Sequence, residues 1–173
     1  MSRRGRSPQV YDLLDPRPRK DKERSGGLQI KEHPVLGIHV QGLQQIVASD
    51  AAKVQELMDL GQKNRSVGST DMNAESSRSH SVCLVTVHQK DTENESKSCY
   101  AKLNLVDLAG SERADRTGAS GKRLKEGANI NKSLTTLGSV INALVEQARG
   151  KKGVFIQYRN SKLTRVLQES LGG

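Results

Sequence analysis

Leu105-Val106-Asp107-Leu108-Ala109-Gly110-Ser111-Glu112-Arg113 is an apolar run that ends in an acid, then a glycine, then a charged pair. Together with the residues before it, 100–107 (Tyr-Ala-Lys-Leu-Asn-Leu-Val-Asp) reads as a strand closed by Asp107. In sites that handle phosphate, a carboxylate at a strand end holds the water shell of Mg2+. A glycine just beyond lets a bare amide N–H approach a γ-phosphate. Asp and Gly alone are a short signal that needs company.

Company lies on both sides. Residues 82–89 are β-branched and apolar, and the polar stretch 91–98 connects them to 100–107, so the two strands are expected to pair antiparallel. Just upstream, Asn73-Ala74-Glu75-Ser76-Ser77-Arg78-Ser79-His80 packs three hydroxyls, an amide and a guanidinium into eight residues. Taken alone it reads as an Asn/Ser turn capping the strand. Downstream, Gly127-Ala128-Asn129-Ile130-Asn131-Lys132-Ser133-Leu134 enters a helical pattern. Ile130, Leu134, Leu137, Ile141, Leu144 and Val145 recur at offsets of 3 and 4 over some five turns. A basic, Gly-flanked loop (149–153) follows. A last helix starts near Asn160 or Ser161, burying Leu163, Val166 and Leu167 and placing Lys162 and Arg165 on its outer side.

The N-terminal part is less regular. Residues 1–27 hold Pro8, Pro16, Pro18, Gly26, Gly27 and eight Lys/Arg, so they read as a basic, largely mobile segment with a short strand near 10–14. Residues 28–32 and 38–41 are strand candidates around His33-Pro34, closed at Gly37 as a small hairpin. Ser49 is placed to cap a helix whose Val54, Leu57 and Met58 share one face and after which Gly61 follows.

The 173 residues carry 28 Lys+Arg against 19 Asp+Glu, a net charge of +9, which fits one basic domain. Four residues are aromatic (Tyr11, Tyr100, Phe155, Tyr158), so the core is aliphatic and lean. A chain of this size normally buries roughly 70% of its unfolded surface, and a missing part or a covering partner is expected. No apolar run approaches the ~18 residues of a membrane span, and no apolar segment follows the N-terminal arginines. Neither a transmembrane helix nor a secretory signal is read, and an intracellular chain is expected. Cys83 and Cys99 stand alone, and His33, His39, His80 and His88 lack ligand spacing, which favours buried free thiols over disulfides or zinc.

The charge is concentrated. Between Arg113 and Arg165 stand 12 basic residues and three acidic ones, while the rest of the chain has 16 of each sign. Such an excess suits an acidic partner: nucleic acid, an anionic lipid surface or an acidic protein polymer. The scarcity of aromatics argues against single-stranded nucleic acid, and no nucleic-acid reading motif accompanies the charge.

Residues 73–80, 107–113 and 127–134 together resemble the motor domain of kinesins, and the resemblance covers almost the whole chain from 11 to 173. It implies an α/β fold, a partial P-loop NTPase motor made of a mixed sheet edge with flanking helices, over residues 28–173. By that resemblance 73–80 is the switch I loop NxxSSRSH and 107–112 the switch II loop DLAGSE. Residues 129–148 are the relay helix lying on the microtubule, and 160–171 the second microtubule-facing helix. Glu32-His33-Pro34-Val35-Leu36-Gly37 and residues 123–138 look most like the kinesin-3 class, whereas Lys162 and Arg165 differ from what that class usually carries.

The resemblance implies ATP and Mg2+ as cofactors and the following roles. Arg78 and Glu112 form the ion pair that closes the switches. Ser76 and Ser77 give hydroxyls to Mg2+ and the attacking water. Asp107 serves the outer metal shell, Gly110 the γ-phosphate, and Asn73 orients the water. Lys132, Arg149, Lys151, Lys152, Arg159, Lys162 and Arg165 match the tubulin-facing surface, so microtubules are the expected partner, in the cytoplasm and on the cytoskeleton, with no nucleic acid. Oligomeric state, direction and cargo belong in this family to segments other than these 173 residues.

The family's phosphate loop, GxxxxGK(S/T), does not occur in these residues. The nearest imitation, Gly118-Ala119-Ser120-Gly121-Lys122-Arg123, has Arg at 116 and 123 and no strand before it, and is read as part of the switch II loop. The chain as printed is therefore expected to be a fragment that binds tubulin in part and lacks ATPase activity; the alternative is a non-catalytic microtubule-binding module. The 100–107 strand is expected to expose an open edge and an apolar face. Gln157 stands where the family commonly has Pro, which restores an N–H and loosens φ at the entry to the last helix.

Overall fold

The computed structural model describes residues 8–17, 19–34, 37–66, 79–93, 95–110 and 122–172, with the backbone alone at 19, 20, 23, 95 and 122–127. Along the chain come α1 (Arg19–Arg24), β1 (Gln29–His33), β2 (Gly37–Gln41), α2 (Ala51–Ser66), β3 (Ser81–Gln89), β4 (Cys99–Asp107), α3 (Lys122–Ala148) and α4 (Lys162–Val166). Short 3-10 turns occupy Glu95–Lys97, Tyr158–Asn160 and Glu169–Leu171.

Apolar and β-branched residues at alternating positions make β3 and β4, which pair antiparallel from Ser81 opposite Asp107 to Gln89 opposite Cys99. The register sends Leu84, Asn104, Lys102 and Tyr100 to one face and Cys83, Val85, Val87, Leu103 and Leu105 to the other. On the first face Lys102 pairs with Glu169 at 3.1 Å and Asn104 bonds Ser170. Apolar side chains stand exposed on both faces: Leu103 at 54%, Val87 at 51% and Leu105 at 41% on the second, Tyr100 at 56% and Leu84 at 43% on the first. This matches the exposed apolar face expected from the sequence.

The small core lies where α4 packs against α3, the Tyr158–Asn160 turn and the β1–β2 hairpin. Val140, Tyr158, Leu163 and Leu167 are buried there, and Thr164 is wholly enclosed. Enclosure is tolerable because the Thr164 hydroxyl donates to Tyr158 O at 2.7 Å and its N–H donates to Ser161 Oγ at 3.1 Å, the N-cap of α4.

Glu169 stitches the hairpin to the sheet. One carboxylate oxygen accepts from Ile38 N at 2.8 Å and the other from Lys102 Nζ. Gly37, at φ 66°, makes room for it, since a Cβ there would stand 1.8 Å from Glu169 Oε1.

Several expectations are corrected. The strand near 10–14 is a single bridge, Val10 to Leu28. Buried Asp12 and Asp15 take the local amides instead, Leu14 N at 2.8 Å and Arg17 N at 2.9 Å, and such Asx turns compete with a ladder. Asp12 also accepts from Gln44 N, and Lys22 Nζ donates to the carbonyls of Asp12 and Asp15. Residues 8–17 are thus tied down, and α1 forms within the segment expected to be mobile. The Arg17 fork, with its side-chain and backbone bonds, holds the Asp15 carboxyl down to about 2.

The helix at 51–66 is capped by Asp50, which accepts from Lys53 N at 2.8 Å, not by Ser49, whose hydroxyl bonds Asp50. It does not stop at Gly61, which is buried where an added Cβ would stand 3.8 Å from the Leu13 side chain, while Asn64 donates to Leu13 O. The long helix α3 begins at Lys122, seven residues before the expected 129, so part of the Gly118-to-Arg123 imitation is helical. The last helix is not continuous over 160–171; it ends at Val166 and resumes as a 3-10 turn. Gln157 takes φ −89°, outside the comfortable range of a proline ring, at the entry to the Tyr158 turn. Cys83 is half-buried and Cys99 exposed, so neither is a buried thiol.

Two outcomes follow from the packing. Leu163→Ala is expected to lower stability by about 2–3 kcal/mol in urea melts, the cost of a cavity in a small core. The 173-residue chain is expected to bind a hydrophobic dye through the open face of β3–β4, and Leu103→Lys to reduce that signal while leaving the far-UV spectrum unchanged.

Candidate functional site

The register that places Ser81 opposite Asp107 brings the chain entering β3 beside the chain leaving β4. Arg65, in the last turn of α2, is inserted at this junction. Its side chain is 4% exposed, and its Nη1 donates to Asp107 Oδ2 at 2.5 Å. The same guanidinium reaches Ser81 Oγ at 3.2 Å, Ser79 Oγ at 3.3 Å and Ser79 O at 2.7 Å. A planar fork with five donors is the side chain suited to such a cluster, because it meets several acceptors at fixed angles. Asp107 keeps 64% of its side chain exposed, so the pair has one buried and one wet member.

Above this clamp sits His80, half-buried. Its Nδ1 receives the Ala109 N–H at 3.0 Å and its Nε2 lies 2.6 Å from Ser133 Oγ on α3. Burial lowers its affinity for a proton, and Arg65 adds to this while Asp107 opposes it.

The candidate cations run along α3 and α4 and the segment between them. Lys132, Arg149, Lys151, Lys152 and Arg159 are exposed; Lys162 and Arg165 are half-buried. Three of them meet carboxylates of the chain itself. Arg159 and Arg165 share Glu32 Oε2 of β1 at 2.9 and 3.4 Å, and Lys151 pairs with Glu146 at 2.8 Å. Glu32 pulls Arg165 in against the hairpin, which corrects its expected outward placement. Between α3 and the strand-like approach to α4, Thr136, Ser139, Val140, Phe155 and Asn160 line an open groove of about 300 Å3.

A family profile described as the kinesin motor domain matches residues 7–173. The chain belongs to the kinesin motor domain family. It is 51% identical over 174 residues to kinesin-like protein KIF1A of Rattus norvegicus, covering 95% of this chain and 10% of that protein. With kinesin-like protein KIF1B of Homo sapiens it shares 49% identity, covering 95% of this chain and 9% of the relative. Among solved structures, KIF14 with ADP in complex with a microtubule matches at TM-score 0.79 and 46% identity, covering 95% of this chain and 48% of that one. A structure described as a fast kinesin matches at TM-score 0.75 and 44% identity, over 94% and 42%. The chain thus spans about a tenth of these two curated relatives and less than half of the solved kinesin chains.

For this kinesin segment, the described residues include Asp107 and Gly110 of the stretch after β4 and Ser79 and His80 of the stretch before β3; Arg65 joins Ser79 to Asp107, and His80 meets the Ala109 amide next to Gly110. Asn73, Ser76, Ser77, Arg78 and Glu112 lie outside the described residues. For the Mg2+ that the family implies, Asp107 fits a place in the outer shell: it is a hard oxygen donor, largely exposed, with one oxygen already engaged by Arg65. No group of three or more His, Cys, Asp or Glu able to hold a metal occurs among the described residues. Sequence reading missed Arg65, because ending the helix at Gly61 left it in a loop. It missed Glu32 as the counter-charge, because a lone acid in a hairpin carries no signal of what lies 127 residues on.

Removing Arg65 is expected to be costly and not rescued by its nearest relative. Arg65→Ala should lower stability by about 2 kcal/mol, less than for a fully buried pair because Asp107 stays solvated, and Arg65→Lys should recover little since one ammonium cannot span Ser79, Ser81 and Asp107. His80 binds its proton less tightly folded than unfolded. The stability tied to its neutral ring is therefore present above its ordinary pKa of about 6.5 and is lost as pH falls through the lower folded value. Urea midpoints measured from about pH 7.5 down to about pH 5 should fall for the wild type and fall less steeply for His80→Asn.

Proposed function

We propose that this chain is the switch-bearing and microtubule-facing part of a kinesin motor, which in its intact form binds ATP with Mg2+, hydrolyses it and moves along microtubules. The chain's own contribution to the nucleotide site is Asp107, Gly110 and, by resemblance, Asn73, Ser76, Ser77, Arg78 and Glu112. When bound, Mg2+ neutralises the charge that develops on the phosphates. Asp107 would hold its water shell from a position fixed by Arg65, and Gly110 has no Cβ to bar close approach to its amide.

The observation that carries the reading is the convergence at the Ser81–Asp107 end of the ladder. There the residues entering β3 and leaving β4 are held by one guanidinium and joined through His80 to α3, the helix whose exposed Lys132 would meet tubulin. Acidic tubulin accounts for the charge excess between Arg113 and Arg165, and microtubules on the cytoplasmic cytoskeleton are the place of action. The ion pairs of Arg159 and Lys151 are surface pairs of the kind worth about 0–1 kcal/mol, cheap to exchange for a partner's carboxylates.

Co-sedimentation with stabilised microtubules tests this. The chain is expected to bind with an affinity that falls as salt rises, and the charge reversal Arg149→Glu with Lys152→Glu is expected to weaken it by about tenfold or more. Binding indifferent to salt and to both reversals, or no binding, overturns the proposal. Affinity that changes with ATP or ADP supports the motor reading, and affinity indifferent to nucleotide supports a passive microtubule-binding module.

A further inference from the structure

Three segments distant in sequence meet at one imidazole: the approach to β3, the exit from β4 and the first half of α3. The Ala109 N–H donates to His80 Nδ1 at 3.0 Å, so that nitrogen is the bare acceptor. The ring's hydrogen is then on Nε2 and donates to Ser133 Oγ at 2.6 Å. The Ser133 hydroxyl in turn donates to Ile130 O at 2.7 Å, one turn back along α3. Every donor and acceptor in this chain points the same way, and only the Nε2–H tautomer satisfies it. Ala109 and Ser133 are both buried, at 4% and 9% exposure, so water is poorly placed to replace the imidazole at either end. A flip or tilt of the ring would break both bonds together, so the two contacts stand or fall as one.

We propose that His80 is a positioning residue that couples the backbone just after Asp107 to α3, so that a partner bound on α3 is felt at residues 107–110. The link itself stands on the geometry above; the identity of the partner rests on the microtubule reading. His80 touches no nucleotide in this scheme. It sets where Ala109, and with it Gly110, lies relative to the helix.

Two measurements on the whole 173-residue chain test it. In nitrogen-15 spectra, His80 should show a protonated Nε2 and a bare Nδ1. Ser133→Ala should shift both the ring signals and the Ala109 amide and speed Ala109 exchange by about tenfold or more, whereas Ser133→Thr, which keeps the hydroxyl, should not. With microtubules added, amide exchange over residues 105–110 should slow in the wild type and in Ser133→Thr. That slowing should be lost in Ser133→Ala while sedimentation with microtubules persists. Should Ser133→Ala fail to fold, His80→Asn serves, since its Oδ1 keeps the Ala109 bond and cuts the one to Ser133: it should retain slow Ala109 exchange but lose the microtubule response. An Nδ1–H tautomer, an Ala109 amide indifferent to Ser133→Ala, or a microtubule response that survives the cut overturns the inference. If the wild type does not sediment with microtubules, the functional proposal falls, and the spectra still decide the link.

Discussion

A guanidinium taken out of water has to be met by acceptors on several sides, and the arrangement around Arg65 is dictated by that requirement. Bonds from this guanidinium go to Ser79, Ser81 and Asp107, and these can be reached together only if the strand entered at Ser81 ends beside the strand that leaves at Asp107. The antiparallel register supplies this juxtaposition, and the continuation of α2 past Gly61 brings the arginine to it. Shifting the register by one residue would send Asp107 to the opposite face of the sheet and leave the buried charge without its carboxylate. Geometry at the Ser81–Asp107 end of the sheet is therefore tied to a charge in a neighbouring helix, not to local turn chemistry alone.

The same economy runs through the rest of the molecule. With four aromatic residues and a core reduced to a few aliphatic side chains, apolar burial holds only the α3–α4 region firmly. Elsewhere polar stitches join the elements. Glu169 ties the β1–β2 hairpin to β4, Thr164 ties α4 to the Tyr158 turn, and Asp12 with Lys22 ties the N-terminal stretch to itself and to Gln44. Each such bond contributes only about 1 kcal/mol net, but leaving a buried member unpaired costs more, so the stitches enforce geometry more than they add stability. The apolar face of β3–β4 is the counterpart of this leanness: the described residues lack the side chains to cover it.

What was legible in the sequence follows periodicity and spacing. The β3–β4 pair, the long α3 and the Ser161-capped start of α4 are all carried by local pattern, and the motif stretches at 73–80, 107–113 and 127–134 sufficed to place the family. What was not legible depends on partners far along the chain. Asp12 and Asp15 look like ordinary loop acids until Gln44 and Lys22 are brought to them, so residues 10–14 read as a strand. Gly61 looks like a helix stop, but it is buried and α2 runs on to Ser66, where Asn64 bonds the Leu13 carbonyl. Arg65 carries no signal in a one-dimensional reading, because its acceptors come from the approach to β3, from β3 itself and from β4, and His80 shows only as the last residue of the 73–80 motif, its partners Ala109 and Ser133 lying far along the chain.

The charge pattern has a physical consequence that composition alone does not show. Glu32 draws Arg159 and Arg165 to a single carboxylate oxygen, although these cations lie 127 and 133 residues away in sequence. Two long side chains that would otherwise sample many rotamers are held near one arrangement, so part of the ordering cost of binding an acidic surface is met before the partner arrives. The exposure of Glu32 keeps the pairs weak, and a row of carboxylates on a partner can displace it at little expense. A pre-ordered and weakly neutralised cationic surface favours acidic partners whose spacing matches the arginines over diffuse polyanions that merely supply charge. This is the property a basic chain needs if it is to select one acidic polymer among many.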